Sequence, residues 1–149
     1  MQTVQLQQIP LMHFSHTGDE TGAADAAWPI HRETGAANTA VVYFELEPGK
    51  HLGTHVDSAE EVLFVLGGTV EVVVGDERER VTADGIAVAP AFVPHDLVNV
   101  GEEPARVAGV FSSNTIVAVF DVPFDQTGGR VVGSPPPEQD AEAEAAAAA

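Results

Sequence analysis

Two histidines and two carboxylates are spaced along this chain as donors to one divalent cation would be: His55, Asp57, Glu61 and His95. Residues two apart on a strand face the same way, so His55 and Asp57 project together. The chain turns at Ser58–Ala59, and in the strand that follows Glu61, Leu63 and Val65 share one face. A hairpin then sets Glu61 opposite the His55/Asp57 pair. His95 follows Pro94 at the start of another strand, with Leu97 and Asn99 on its face. Inside a closed barrel the four side chains meet. The sequence has no cysteine, which excludes disulfides, thiolate nucleophiles and iron–sulfur clusters. Any metal is therefore held by nitrogen and oxygen, the donors of Fe, Mn, Zn, Ni or Co.

The elements that position these residues are strands. Thr39 to Glu47 alternates, with Val42, Phe44 and Leu46 on one face, and Pro48-Gly49 ends the run. Val62–Leu66, Val70–Val74, Arg78–Thr82, Ile86–Ala89, Asp96–Val100, Arg106–Phe111 and Thr115–Phe120 follow, separated by Gly67-Gly68, Gly75-Asp76 and Ala83-Asp84-Gly85. About eight short strands with turn signals every ~8–12 residues predict an all-β sandwich or barrel, with a double-sheet jelly roll as the natural closure. Residues 1–37 read as an arm: a short strand within Thr3–Ile9, then a Gly/Ala/Asp/Thr-rich loop over 15–27. The barrel is expected over 38–133. Residues 134–149, a proline run followed by acids and alanines, read as a disordered tail with nothing to bury.

The 149 residues are enough for one domain with a core, and 44% of them are hydrophobic. A formal net charge of −17 opposes binding to a phosphate backbone or an anionic membrane. The start of the chain lacks the basic residues and apolar run of a signal peptide, and no stretch approaches ~18 consecutive apolar residues. A cytoplasmic protein with a small-molecule ligand, and without nucleic-acid or membrane partners, is the expectation.

The spacing also resembles a known family, the cupins. Gly49, His55, Asp57, Glu61 and Gly68 stand at the positions of their first motif, G-x5-H-x-H-x3-E-x6-G. Gly85, Pro90, Phe92, His95 and Asn99 follow their second, G-x4–5-P-x-G-x2-H-x3-N. The resemblance implies a double-stranded β-helix, a divalent ion on the four-residue set, and a homodimer paired through sheet edges or an exchanged N-terminal strand. It is nearest to small single-domain, quercetin-dioxygenase-like members. Two positions depart from the pattern. Asp57 replaces a histidine, which makes the set harder and more anionic and favours Fe(II) or Mn(II) over Cu and Ni. Phe92 replaces a glycine and is expected to plug one barrel end.

An apolar wall of Val42, Phe44, Leu63, Val65, Leu97 and Phe111 is expected to hold the substrate, which suits an aromatic or dicarbonyl compound better than a sugar phosphate. Arg32 and Arg106 are the candidate anion-holding cations outside exposed turns. The leading expectation is a metal-dependent, dioxygenase-like enzyme. A non-catalytic binding or sensing barrel, and an isomerase or decarboxylase using the same ion, stand beside it. The plainer reading makes His55 and His95 hydrogen-bonded core residues and Asp57 a turn or salt-bridge residue. Two buried carboxylates without a cation would repel each other, which weighs against that reading. His51 is read as a surface or rim residue, since four residues of extended chain separate it from His55.

Overall fold

A computed structural model describes residues 1–135. Twelve strands form among the described residues: β1 Met12–His16, β2 Asp19–Ile30, β3 Ala40–Leu46, β4 His55–Asp57, β5 Glu61–Gly67, β6 Thr69–Val74, β7 Glu77–Thr82, β8 Ile86–Ala89, β9 His95–Asn99, β10 Ala105–Phe111, β11 Ile116–Phe120 and β12 Val131–Ser134. They make two six-stranded antiparallel sheets, in the orders β1-β2-β3-β10-β5-β8 and β12-β11-β4-β9-β6-β7. This is the all-β double-sheet jelly roll that the turn spacing predicts.

Strand alternation sorts the side chains. Ile116, Ala118 and Phe120 of β11 face inward while Val117 and Val119 face out. Glu61, Leu63 and Val65 of β5 all point into the interior, as the sequence pattern requires. Phe44, Leu46, Leu63, Val65, Leu97 and Val107 belong to one packed apolar cluster. Ala40, Phe111 and Ile116 make a second, and Ala118, Phe120 and Phe124 a third.

Two strands lie where the sequence pattern reads as arm or loop, and a third runs one residue into the expected tail. Residues 15–27, taken for a loop, belong mostly to the β1–β2 hairpin, and β2 runs for 12 residues. Its Gly-Ala-Ala-Asp stretch has weak strand propensity. Pairing of Asp25, Ala26 and Ala27 with Glu45, Phe44 and Tyr43 of β3 overrides that preference. Pro29 falls where the register shifts between Ala27 and Ile30, a break that tolerates its missing N–H. The expected exchange strand within Thr3–Ile9 is instead interrupted by a 3-10 turn at Leu6–Gln8. β12 pairs with β11 and carries the fold to Ser134, a fully buried residue. The tail expectation otherwise lies outside the described residues.

Phe92 plugs nothing. It is 69% exposed and has φ 61°. The turn between β8 and β9 needs a left-handed residue at this position, which explains why glycine suits it, and a phenylalanine there aims its ring at solvent. Left-handed backbone costs a non-glycine residue roughly 1–2 kcal/mol. Phe92→Gly is therefore expected to stabilise the protein by about 0.5–1 kcal/mol after glycine's extra unfolded-state entropy is subtracted. The gain is read as a higher urea midpoint at unchanged slope.

Candidate metal centre

The two sheets each bring part of the donor set. His55 and Asp57 come from β4, and His95 comes from the neighbouring β9, where it lies directly across from His55. Glu61 reaches in from β5 of the facing sheet. All four are buried, and one donor atom from each lies within 4.8 Å of the others. Parity explains the convergence: each ligand occupies an inward position of its strand, and the short β4–β5 connection brings Glu61 round to face its partners.

Hydrogen bonds set the tautomers. His55 Nδ1 donates to the Gly53 carbonyl at 2.7 Å, and His95 Nδ1 donates to the Val93 carbonyl at 2.9 Å. A carbonyl only accepts, so each Nδ1 carries the proton and each Nε2 turns towards the shared centre. Asp57 Oδ2 lies 3.6 Å from His55 Nε2 and 2.9 Å from His95 Nε2. Asp57 Oδ2 and His95 Nε2 are nevertheless both buried without a hydrogen-bond partner. They are close but misaligned, pointing at a common centre and not along one N–H axis. Two orphaned polar atoms in a nitrogen–oxygen cluster fit a bound divalent cation.

The charges agree with that fit. Burial, reinforced by His95, pushes the His55 pKa down and favours the neutral imidazole that ligates. Burial opposes charge on His95 as well, but Asp57 and Glu61 outweigh it and raise its pKa to about 10. Without a metal, a proton on His95 supplies the positive charge that the carboxylates demand. Burial raises Glu61 to about 7, against the pull of His95.

The cluster closes one end of a cavity that opens to solvent. His55, Asp57 and Glu61 form its polar end, Phe44 and Phe111 line it, and the β1–β2 hairpin contributes Phe14, Ala24, Ala26 and Trp28. Leu63, Val65 and Leu97, expected in this wall, are buried in the first apolar cluster and do not reach the cavity. Their faces point inward as predicted, but at a level of the barrel that side chains fill. Arg106 is turned away from the cavity, its Nε donating to Tyr43 Oη at 2.9 Å. Neither Arg106 nor Arg32 is among the lining residues, and no lysine or arginine is.

Three contributors escape a reading of the sequence. His16 lines the cavity with its ring packed on Phe120 and Phe124. Its nitrogens face the Leu52 and Val122 carbonyls at 2.8 and 3.1 Å. Phe120 stacks on His55 at 4.4 Å. Gly109 lies under Glu61, and a Cβ there would collide with Glu61 Oε2. A glycine inside a strand is the one available signal, since it often marks a close approach.

His51 is not a ligand; it is part-buried and lines a neighbouring cavity with His16 and Asp19, in keeping with a rim position. Its ring is held by Asp96 through Nδ1 and by Asp19 through Nε2, each at 2.7 Å. The Asp96 carboxylate, against the cost of burial and aided by Asp19, raises the His51 pKa to about 9. Burial works against the charge on Asp19, but hydrogen bonds from His51 and Thr21 prevail and lower its pKa to about 2.

Residues 42–112 match the family profile described as "Cupin domain". Comparison with curated proteins found no match. Among solved structures, an oxalate oxidase complexed with glycolate superimposes with a TM-score of 0.66 and 18% identity, over 80% of this chain and 63% of its own. A predicted oxalate decarboxylase from Thermotoga maritima gives 0.65 and 18%, over 74% of this chain and 98% of its own. The polyketide cyclase RemF from Streptomyces resistomycificus gives 0.61 and 21%, over 74% of this chain and 78% of its own. At these identities the likeness is one of fold. Residues 42–112 thus match the cupin profile, and the two antiparallel sheets have the fold of the structures they superimpose on.

Proposed function

We propose that this protein is a divalent-metal-dependent enzyme acting on a small apolar, dicarbonyl or aromatic compound by dioxygenase-type oxidation. The observation that carries the reading is a hard donor set at the closed end of an otherwise apolar cavity. His55, Asp57, Glu61 and His95 would hold Fe(II) or Mn(II), and such an ion supplies a place for O2 and an oxygen-bearing substrate to meet. The two carboxylates match the ion's double positive charge, so the site has no call for a dianionic substrate. Trp28, Phe111 and Phe120 offer flat faces to orient a ring and keep water from the polar end. Oxalate, named for two of the similar structures, is a dianion and would meet a wall without lysine or arginine. That specificity does not carry over.

The test is metal analysis after anaerobic purification, followed by O2 uptake on a panel of β-diketones and flavonols. Stoichiometric iron or manganese with metal-dependent O2 uptake is the expected result. Turnover without O2 would replace oxidation by isomerisation or decarboxylation on the same ion. A protein that takes up neither Fe(II) nor Mn(II) would leave a binding barrel.

A further inference from the structure

Outside the donor set, a part-buried network of charged groups among the described residues reaches the metal centre. It starts at Asp96, next in the chain to His95 but facing away from the cavity. Asp96 is 8% exposed, and each of its oxygens is engaged. Oδ1 accepts from the Gly53 amide at 2.9 Å and from the Leu97 amide at 2.8 Å. Oδ2 accepts from His51, whose other nitrogen is held by Asp19. The same Gly53 presents its carbonyl to His55 Nδ1. Gly53 has φ +108°, a conformation that L side chains rarely adopt, and a Cβ there would meet the His16 ring. A residue in that conformation keeps its carbonyl direction only if its surroundings fix it.

We propose that Asp96 is a positioning residue for His55: by anchoring the Gly53 amide it aims the Gly53 carbonyl at His55 Nδ1, which keeps the Nε2 lone pair on the metal side. His51, an imidazolium between two carboxylates, holds Asp96 in place and offsets its charge, so that a third buried anion beside Asp57 and Glu61 is tolerated. The inference rests on the proposed metal centre for its purpose. The tautomer itself exists, and is measurable, without any metal.

The backbone geometry supports a built device. Residues 51–53 are stitched on both sides, with His51 N donating to Thr21 O at 2.9 Å, Ala23 N to His51 O at 3.1 Å and Leu52 N to Leu97 O at 3.0 Å. The segment is thus clamped between the hairpin that walls the cavity and the strand that carries His95. The turn that carries the His95 acceptor is pinned as well: Phe92 N donates to Asp57 O and Gly75 N to Pro94 O, each at 2.9 Å, on either side of Val93.

The test uses the metal-free, full-length protein, uniformly labelled with ¹⁵N, and reads the His55 ring by long-range ¹⁵N–¹H correlation. Wild type is expected to show Nδ1 protonated and Nε2 bare. Asp96→Ala is expected to move His55 to a mixture of tautomers. Asp96→Asn, which keeps an oxygen for the Gly53 and Leu97 amides, is expected to restore the wild-type pattern. Mn(II) affinity, read by electron paramagnetic resonance, is expected to fall about 10–100-fold in Asp96→Ala and to recover in Asp96→Asn, the range for loss of a group that orients a ligand. A folded Asp96→Ala protein with the wild-type His55 tautomer overturns the proposal. If that variant does not fold, His51→Ala takes its place, with a shift of the same His55 signals expected and their constancy overturning the proposal. A wild type that binds no Mn(II) or Fe(II) removes the proposed function, while the tautomer comparison still decides the role of Asp96.

Discussion

Gly109→Ala is expected to weaken divalent-metal binding by at least about 10–100-fold, as large an effect as losing a group that orients a ligand, although Gly109 donates nothing to a metal. The reason is a single contact. Gly109 lies on β10 beside β5, diagonal to Glu61 in the ladder that pairs Phe111 with Glu61 and Gly109 with Leu63. The Glu61 carboxylate lies over its bare Cα, and a methyl group would collide with Oε2 and fall 3.0 Å from Val42 Cγ1. Interiors are packed like crystals, so such an overlap is relieved only by moving something. The freest group to move is the carboxylate, and the direction open to it is away from the donor centre. Overpacking of this kind also costs about 1–3 kcal/mol of stability. The double variant Gly109→Ala/Glu61→Ala separates the two effects. It removes the overlap along with the ligand, so its stability is expected to exceed that of Gly109→Ala while it still binds no metal. Denaturant titration gives the stabilities and a Mn(II) titration gives the affinities. Two variants that simply add in stability would show that Gly109 and Glu61 are not in contact.

The same glycine shows what the sequence makes legible and what it withholds. His55, Asp57, Glu61 and His95 can be grouped from spacing because strand period and ligand period coincide: inward residues recur every second position, and short turns bring neighbouring strands into register. Leu63 and Leu97 face inward by the same rule and yet miss the cavity. Parity gives the side of the sheet but not the height along the barrel, and height is set by register between strands far apart in sequence. His16 and Trp28 were hidden for a different reason. They lie on a hairpin whose Gly/Ala-rich second strand has little intrinsic preference for extension and is held by pairing with β3. The small residues that blur its pattern, Ala24 and Ala26, are the ones that leave room for the cavity. His51 sits four residues before His55, and only the fold shows that Asp19 and Asp96 meet on its ring.

Asp57 is the ligand for which spacing and family pattern disagree, and it is where substitution separates the readings most sharply. Asp57→Ala is expected to lower Mn(II) or Fe(II) affinity by at least about 10–100-fold, and His55→Ala to abolish binding. Asp57→His is expected to retain the ion and to favour Zn or Ni more than wild type does, because imidazole is the softer donor. The argument is geometric first. Asp57 Oδ2 lies close to both Nε2 atoms, is buried, and has no hydrogen bond of its own. A carboxylate oxygen kept from water without a donor is costly unless a cation shares it. In the metal-free protein the proton on His95 does that work, and His95 must give it up for Nε2 to ligate. Metal uptake is therefore expected to release protons and to strengthen as pH rises, first through about 7 as Glu61 ionises and then on towards about 10, the His95 value in the presence of Asp57 and Glu61. Asp57→Ala withdraws one of the two carboxylates that hold this proton, so its weaker metal binding is expected to depend less steeply on pH. If Asp57→Ala bound Mn(II) as tightly as wild type at every pH, Asp57 would be no ligand and the centre would rest on His55, Glu61 and His95 alone. If instead the affinity fell while the pH slope stayed unchanged, Asp57 would ligate without controlling the proton on His95. Mn(II) titrations of the two proteins across pH 6–9 tell these cases apart, because ligation shows in the affinity and control of the proton shows in the slope.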